Sequence, residues 1–198
     1  MKQSRVRALT ECAILLALSV VLSYIRLFTL PFEGSITLLS MLPVCLASLR
    51  YGIRQGLFVS FAYAWFQILQ GGVFAWGLTP VMLLGSLLFD YIIAFTALGL
   101  AGLFRKHGLL GAVSGVALAC GLRFFSHFLA GVILWANFEQ FIAFGQEWVG
   151  RPWLYSLCYN GVYMLPETVF TVLGAYFVLR TPALARLVRE KTHHTKAV

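Results

Sequence analysis

The 198 residues are 60% hydrophobic, 15% aromatic and 11% charged, with a mean hydropathy of +0.85, whereas an average soluble domain is about a quarter charged. This excludes a water-soluble domain, and with it the nucleic-acid partner that a formal charge of +8 would otherwise suggest. Cys12, Cys45, Cys120 and Cys158 lie in apolar segments without C-x-x-C spacing, so neither a disulfide framework nor a metal site is expected.

A helix needs about 20 mostly apolar residues to cross roughly 30 Å of hydrocarbon. On that measure we read six spans, at residues 8–26, 36–50, 55–70, 81–104, 109–136 and 153–179. The first follows basic residues, as a signal peptide would, but no A-x-A-like site follows it, so a retained helix is expected. The second and third are short and should tilt, be shielded by neighbours or thin the bilayer. From Gln55 to Phe89 the chain carries no charge for 35 residues; Gln70-Gly71-Gly72 and Gly77-Leu78-Thr79-Pro80 break this run between spans three and four. The connection 137–152, with Glu139, Glu147, Trp148 and Arg151, is long. Together with the loop around Phe32 and Glu33 it makes a candidate gate.

Twelve of the fifteen basic residues fall on one side of these spans: Lys2, Arg5 and Arg7, Arg50 and Arg54, Arg105 and Lys106, and Arg180, Arg186, Arg189, Lys191 and Lys196. By the positive-inside rule both termini are cytoplasmic. The expected fold is an all-α membrane protein, one six-helix domain over residues 1–180. Residues 181–198 form a basic cytoplasmic tail near anionic lipid headgroups.

There is no Gly-Lys pair for a Walker A motif, no H-E-x-x-H and no obvious internal repeat. Energy for any transport should therefore come from partner subunits, and no cofactor is expected. Ionisable residues inside spans are costly and are functional candidates by default. Here they are Asp90, Arg123, His127 and Glu167, with Asn160 as a buried amide. With Val81, Ala136 and Trp153 as outer ends, a rise of about 1.5 Å per residue places Asp90, His127 and Asn160 roughly 14, 14 and 11 Å down. Around that layer come Trp65, Trp76, Tyr91, Trp135, Tyr155 and Tyr159, an aromatic-walled pocket opening outward. Arg123 and Glu167 fall deeper, at roughly 20 and 21 Å, and are expected to pair beneath its floor. One carboxylate among aromatic faces suits a cationic aromatic ligand, with Asp90 as counter-ion and His127 and Asn160 reading a heterocycle's edge.

These residues also have structural readings. Trp65, Trp76, Trp135 and Trp153 could form an interfacial belt, Asp90 and His127 could be satisfied within the core, and Ala13 with Ala17 could be an internal helix contact. The small-residue stripe Gly111, Gly115, Ala119 is expected to be internal packing. An intramembrane hydrolase using Ser126, His127 and Asp90 is disfavoured, because adjacent helical residues point about 100° apart. A scaffold without ligand is a further alternative.

In order along the chain stand Ala13-x-x-x-Ala17, Gly34-Ser35-Ile36-Thr37-Leu38 before Met41-Leu42-Pro43, Asp90-Tyr91-Ile92-Ile93-Ala94-Phe95, Arg123-Phe124-Phe125-Ser126-His127, and Tyr155 to Asn160. Over residues 8–179 this series resembles the ThiT family, the thiamine-specific S components of energy-coupling factor transporters. The resemblance implies a non-enzymatic vitamin-uptake protein of the bacterial plasma membrane that binds thiamine with high affinity. It captures substrate from outside and depends on a transmembrane coupling subunit and two cytoplasmic ATPases. The resemblance further implies a thiamine site at Asp90 and Tyr91, at His127 with Trp135 eight residues on, at Tyr155 and Asn160, and at Trp65 and Trp76. Ala13 and Ala17 would meet the coupling subunit, as small-x-x-x-small faces allow close helix approach. A thiamine precursor or another cationic heterocycle is the alternative substrate.

Overall fold

The computed structural model describes residues 2–30, 34–135, 142–143, 146–147, 150–182 and 185. Phe32, Glu33, Glu139 and Trp148, assigned above to a gate, and the tail beyond 185 lie outside the described residues.

Four helical runs are long and apolar enough to cross a membrane: Arg5–Ser23, Ile53–Ala75, Pro80–Ile133 and Pro152–Arg180. The third, at 54 residues, is more than twice what one crossing needs. It folds back at a 3₁₀ turn, Arg105–His107, followed by Gly108 at φ 73°, a conformation only glycine adopts without strain.

The helices are α1 (Lys2–Ser23), α2 (Met41–Tyr51), α3 (Ile53–Gln70), α4 (Pro80–Ser86), α5 (Ala94–Thr96), α6 (Gly108–Ile133) and α7 (Pro152–Arg180). Between α4 and α5 the rod is wound as π-helix over Leu87–Ile93, and beyond α5 it tightens to 3₁₀ over Ala97–Gly102. Thr79 caps this rod by accepting the Met82 amide, with Pro80 in the first turn.

The second expected span is corrected. Its helix starts at Met41 and has 11 residues, about 16 Å at the helical rise, which is too short to cross. It is apolar on every side and buried at Met41, Val44, Cys45, Ala47 and Leu49, as an all-round hydrophobic helix must be. The expectation of an all-helical chain also needs amendment. A hairpin pairs β1 (Arg26–Thr29) with β2 (Ser35–Thr37), with Arg26 opposite Thr37 and Thr29 opposite Ser35; a second pair joins β3 (Ile142–Ala143) to β4 (Gln146–Glu147).

The core forms where α2, α3 and the 3₁₀ segment meet α6. Close approach is enforced by polar pins as well as small residues. The buried Ser48 hydroxyl donates to the Gly99 carbonyl at 2.5 Å and accepts the Gly102 amide at 2.9 Å. A side chain at Gly102 would meet the Ser48 backbone, and one at Gly115 the Ala101 carbonyl. The Gly111-Gly115-Ala119 stripe is thus packed inside the bundle. Near the same end Glu11 of α1 accepts Arg7 at 2.8 Å, Arg50 at 2.6 Å and the Tyr51 hydroxyl, tying α1 to the end of α2. Ala13 and Ala17 point outward from α1, while Cys12 and Ser19 turn inward.

Candidate functional site

A cavity of about 110 Å³ opens between the hairpin, the π-wound turn, α6 and α7. The π-winding presents Asp90 to it and turns Tyr91 inward to 8% exposure; extra-wide turns of this kind recur at functional sites. Three donors surround the Asp90 carboxylate. Ser86 Oγ and Trp135 Nε1 both donate to Oδ2 at 3.0 Å, and His127 Nδ1 stands 3.0 Å from Oδ1. An ionised carboxylate offers about four acceptor positions, so these bonds fix its orientation without exhausting it. Nε2 of His127 is buried and has no partner among the described residues.

The aromatic walls are built from three elements. Trp76 meets Trp135 edge to face at 5.7 Å, and Tyr155, Tyr159 and Tyr163 follow one face of α7 with ring centroids 5.8 Å apart. Tyr163 and Phe95 each present an edge contact to His127 at 6.3 Å. The Tyr159 hydroxyl accepts the Gly34 amide at 3.3 Å, so the hairpin is held against α7 beside the cavity.

Arg123 lies one turn before His127 on α6. Its Nη1 donates to Glu167 Oε2 at 2.7 Å and approaches Met41 Sδ at 2.8 Å, and its guanidinium covers the Phe95 ring at 4.5 Å. Glu167 accepts the Thr37 hydroxyl on its other oxygen at 2.5 Å. The pair lines the cavity rather than lying wholly beneath it.

Seven of the eight residues singled out for ligand contact therefore line one cavity: Asp90, Tyr91, His127, Trp135, Tyr155, Asn160 and Trp76. Trp65 does not. It is 51% exposed, with its ring edge against Phe61, because α3 turns Tyr63, Ala64 and Ile68 inward. Its spacing of eleven from Trp76 carries no facing information, since the helix ends at Gln70. Asn160 also differs from expectation in its bonding. Its amide nitrogen donates to the Ser156 and His127 carbonyls, and its oxygen accepts the Tyr163 hydroxyl, so it braces α7 on α6. Ser126 donates to the Phe89 carbonyl at 2.6 Å instead of to His127, which removes the nucleophilic arrangement. Tyr163, Phe95, Thr37 and Gln67 line the cavity too. The Tyr155-Tyr159-Tyr163 spacing of four was a usable sign for Tyr163; nothing local marked Thr37.

The family described as "Thiamine transporter protein (Thia_YuaJ)" matches residues 9–185. Among curated relatives, "Thiamine transporter ThiT" of Bacillus subtilis is 32% identical over 180 residues, covering 83% of this chain and 86% of its own. "Thiamine transporter ThiT" of Lacticaseibacillus paracasei is 27% identical over 205 residues and 94% of both chains. The solved structure of ThiT from Listeria monocytogenes superposes with a TM-score of 0.70 at 26% identity, over 93% of this chain and 98% of that one. With the family matched over nearly the whole chain and a relative above 30% identity along most of both lengths, the chain belongs to the thiamine transporter protein family.

Proposed function

We propose that this protein is the thiamine-capturing S component of an energy-coupling factor transporter in a bacterial plasma membrane. Thiamine enters the cavity from outside; the transporter then carries it inward on ATP hydrolysed by partner subunits. The observation that carries this reading is Asp90, a carboxylate fixed by Ser86, Trp135 and His127 inside an aromatic-walled cavity. A thiazolium ring carries a permanent positive charge and an aromatic face. Asp90 supplies the counter-charge, Trp76, Trp135 and Tyr155 supply stacking and cation-aromatic contact at about 0.5–2 kcal/mol each, and Nε2 of His127 is open to a ring donor or acceptor. Tyr91 lines the same cavity beside Asp90, and Asn160 holds His127 in place through its carbonyl.

We place both termini in the cytoplasm, in a bundle of α1, α2, α3, the Pro80–Gly102 rod, α6 and α7. The one-sided basic residues support this orientation. The absence of any nucleotide motif supports dependence on a coupling subunit and two ATPases. The outward small residues Ala13 and Ala17 suit close approach of a partner helix.

Thiamine titration of the purified, detergent-solubilised protein, followed by tryptophan fluorescence and calorimetry, tests the reading. Saturable quenching that Asp90→Asn shifts to roughly 10- to 100-fold higher thiamine concentration is expected. A silent titration by both methods would transfer the proposal to a precursor or another cationic heterocycle, which the same assay would then identify.

A further inference from the structure

Among the described residues two carboxylates line the cavity, Asp90 and Glu167, and one buried cation, Arg123; Arg26, also at the lining, is exposed on the hairpin. Glu167 is 2% exposed and Arg123 6%, so neither charge is neutralised by water. Their 2.7 Å contact cancels the two, and the partly buried Asp90 remains as the other carboxylate among the described lining residues. The cancellation is local and complete on the Glu167 side: one oxygen takes Arg123 and the other takes Thr37. On the arginine side it is less so. Nε is buried without a partner among the described residues, and the guanidinium lies over the Phe95 ring, whose edge meets His127, the partner of Asp90. Two rings in contact, Phe95 and His127, therefore link a permanent positive charge to the carboxylate that would hold a cationic ligand.

We infer that Glu167 determines specificity through Arg123: by neutralising that cation at the lining it lets the cavity accept a cation. This rests on the proposed thiamine site. A guanidinium cannot shed its proton in a protein, and charge interactions in a low-dielectric interior persist over a side chain's length. Losing the Glu167 charge therefore leaves Arg123 repelling the ligand's own positive charge. A residue that only holds helices together would change the binding of charged and uncharged ligands alike.

The test uses thiamine and its uncharged isostere, in which carbon replaces the charged ring nitrogen, titrated calorimetrically into the full-length wild type, Glu167→Gln, Arg123→Met and the double variant. Glu167→Gln is expected to lower the ratio of cation to isostere affinity about tenfold or more. Arg123→Met/Glu167→Gln, which holds neither charge, is expected to keep that ratio within about threefold of wild type, and Arg123→Met, which leaves the Glu167 carboxylate unpaired, to keep or raise it. Equal loss of both ligands in Glu167→Gln overturns the inference, as does a fallen ratio in either variant lacking Arg123. The Arg123→Met arm stands on its own if Glu167→Gln does not fold. Wild type that binds neither ligand would overturn the thiamine reading itself, a different outcome from wild-type binding with an unmoved ratio.

Discussion

Nδ1 of His127 stands 3.0 Å from Oδ1 of Asp90, across the contact between α6 and the π-wound turn. The bond aims the opposite nitrogen, Nε2, away from the carboxylate and leaves it without a partner among the described residues. Ser86 and Trp135 hold the other carboxylate oxygen. The anion is thus oriented before any ligand arrives, which lowers the ordering cost of binding.

Asp90→Asn retains the shape and an acceptor for Trp135 but removes the charge. Interactions with a charged partner contribute about 1.5–3 kcal/mol, so thiamine affinity should fall roughly 10- to 100-fold by calorimetry. A change under about twofold would remove Asp90 as the counter-ion. His127→Phe, which preserves the edge contacts to Phe95 and Tyr163, should cost about tenfold.

The tryptophans separate by position. Trp76→Leu should weaken thiamine binding by about 3- to 30-fold, the scale of one cation-aromatic contact. Trp65→Leu should leave affinity within about twofold, as its side chain sits outside the cavity. Equal losses in the two variants would show that the cavity extends to the outer face of α3.

Gly34 lies under Tyr159. A Cβ placed there would meet the hydroxyl at 2.8 Å and Tyr163 Cε1 at 3.0 Å, so Gly34→Ala should push the hairpin from α7. Slower association and faster release of thiamine are expected in stopped-flow fluorescence, with the melting temperature little changed. Unaltered rates would mean the tyrosines yield without moving the hairpin.

Ser48 bridges two backbone groups inside the bundle. Ser48→Ala removes the partner of the Gly102 amide and the Gly99 carbonyl, an effect of about 1–3 kcal/mol. A lowered unfolding midpoint in detergent with thiamine affinity intact is the expected pair of readings.

Ala13→Leu and Ala17→Leu enlarge an outward face of α1 far from the cavity. Thiamine binding by the isolated protein should be unchanged while uptake by cells drops at least about fivefold, since a packed interface tolerates such bulk poorly. Uptake at wild-type level would locate the coupling subunit elsewhere.

Composition and charge position were enough to read this protein as a helical membrane protein, because hydrocarbon leaves so few ways to satisfy a backbone. The cost of charge in an apolar span likewise marked Asp90, His127, Arg123 and Glu167 individually. Long apolar runs such as α6 and α7 were placed within a few residues. Met41–Tyr51 could not be told from a crossing by hydropathy, since burial in protein and burial in lipid select the same side chains. The hairpin of β1 and β2 was also hidden, because its pairing is settled by Gly34 against Tyr159 and Thr37 against Glu167, partners more than 120 residues away in sequence.

Sequence alone therefore determined which residues must avoid water and which few must be compensated if they do. Tertiary structure decided with whom: that Asp90 receives His127, Trp135 and Ser86, that Trp65 turns outward, and that Asn160 is occupied within the bundle. The physical reason is that hydrophobicity is a property of each side chain and depends little on direction, whereas a hydrogen bond or ion pair needs a partner at about 3 Å. That distance is set only when π-winding, helix rotation and close glycine contacts bring distant segments together.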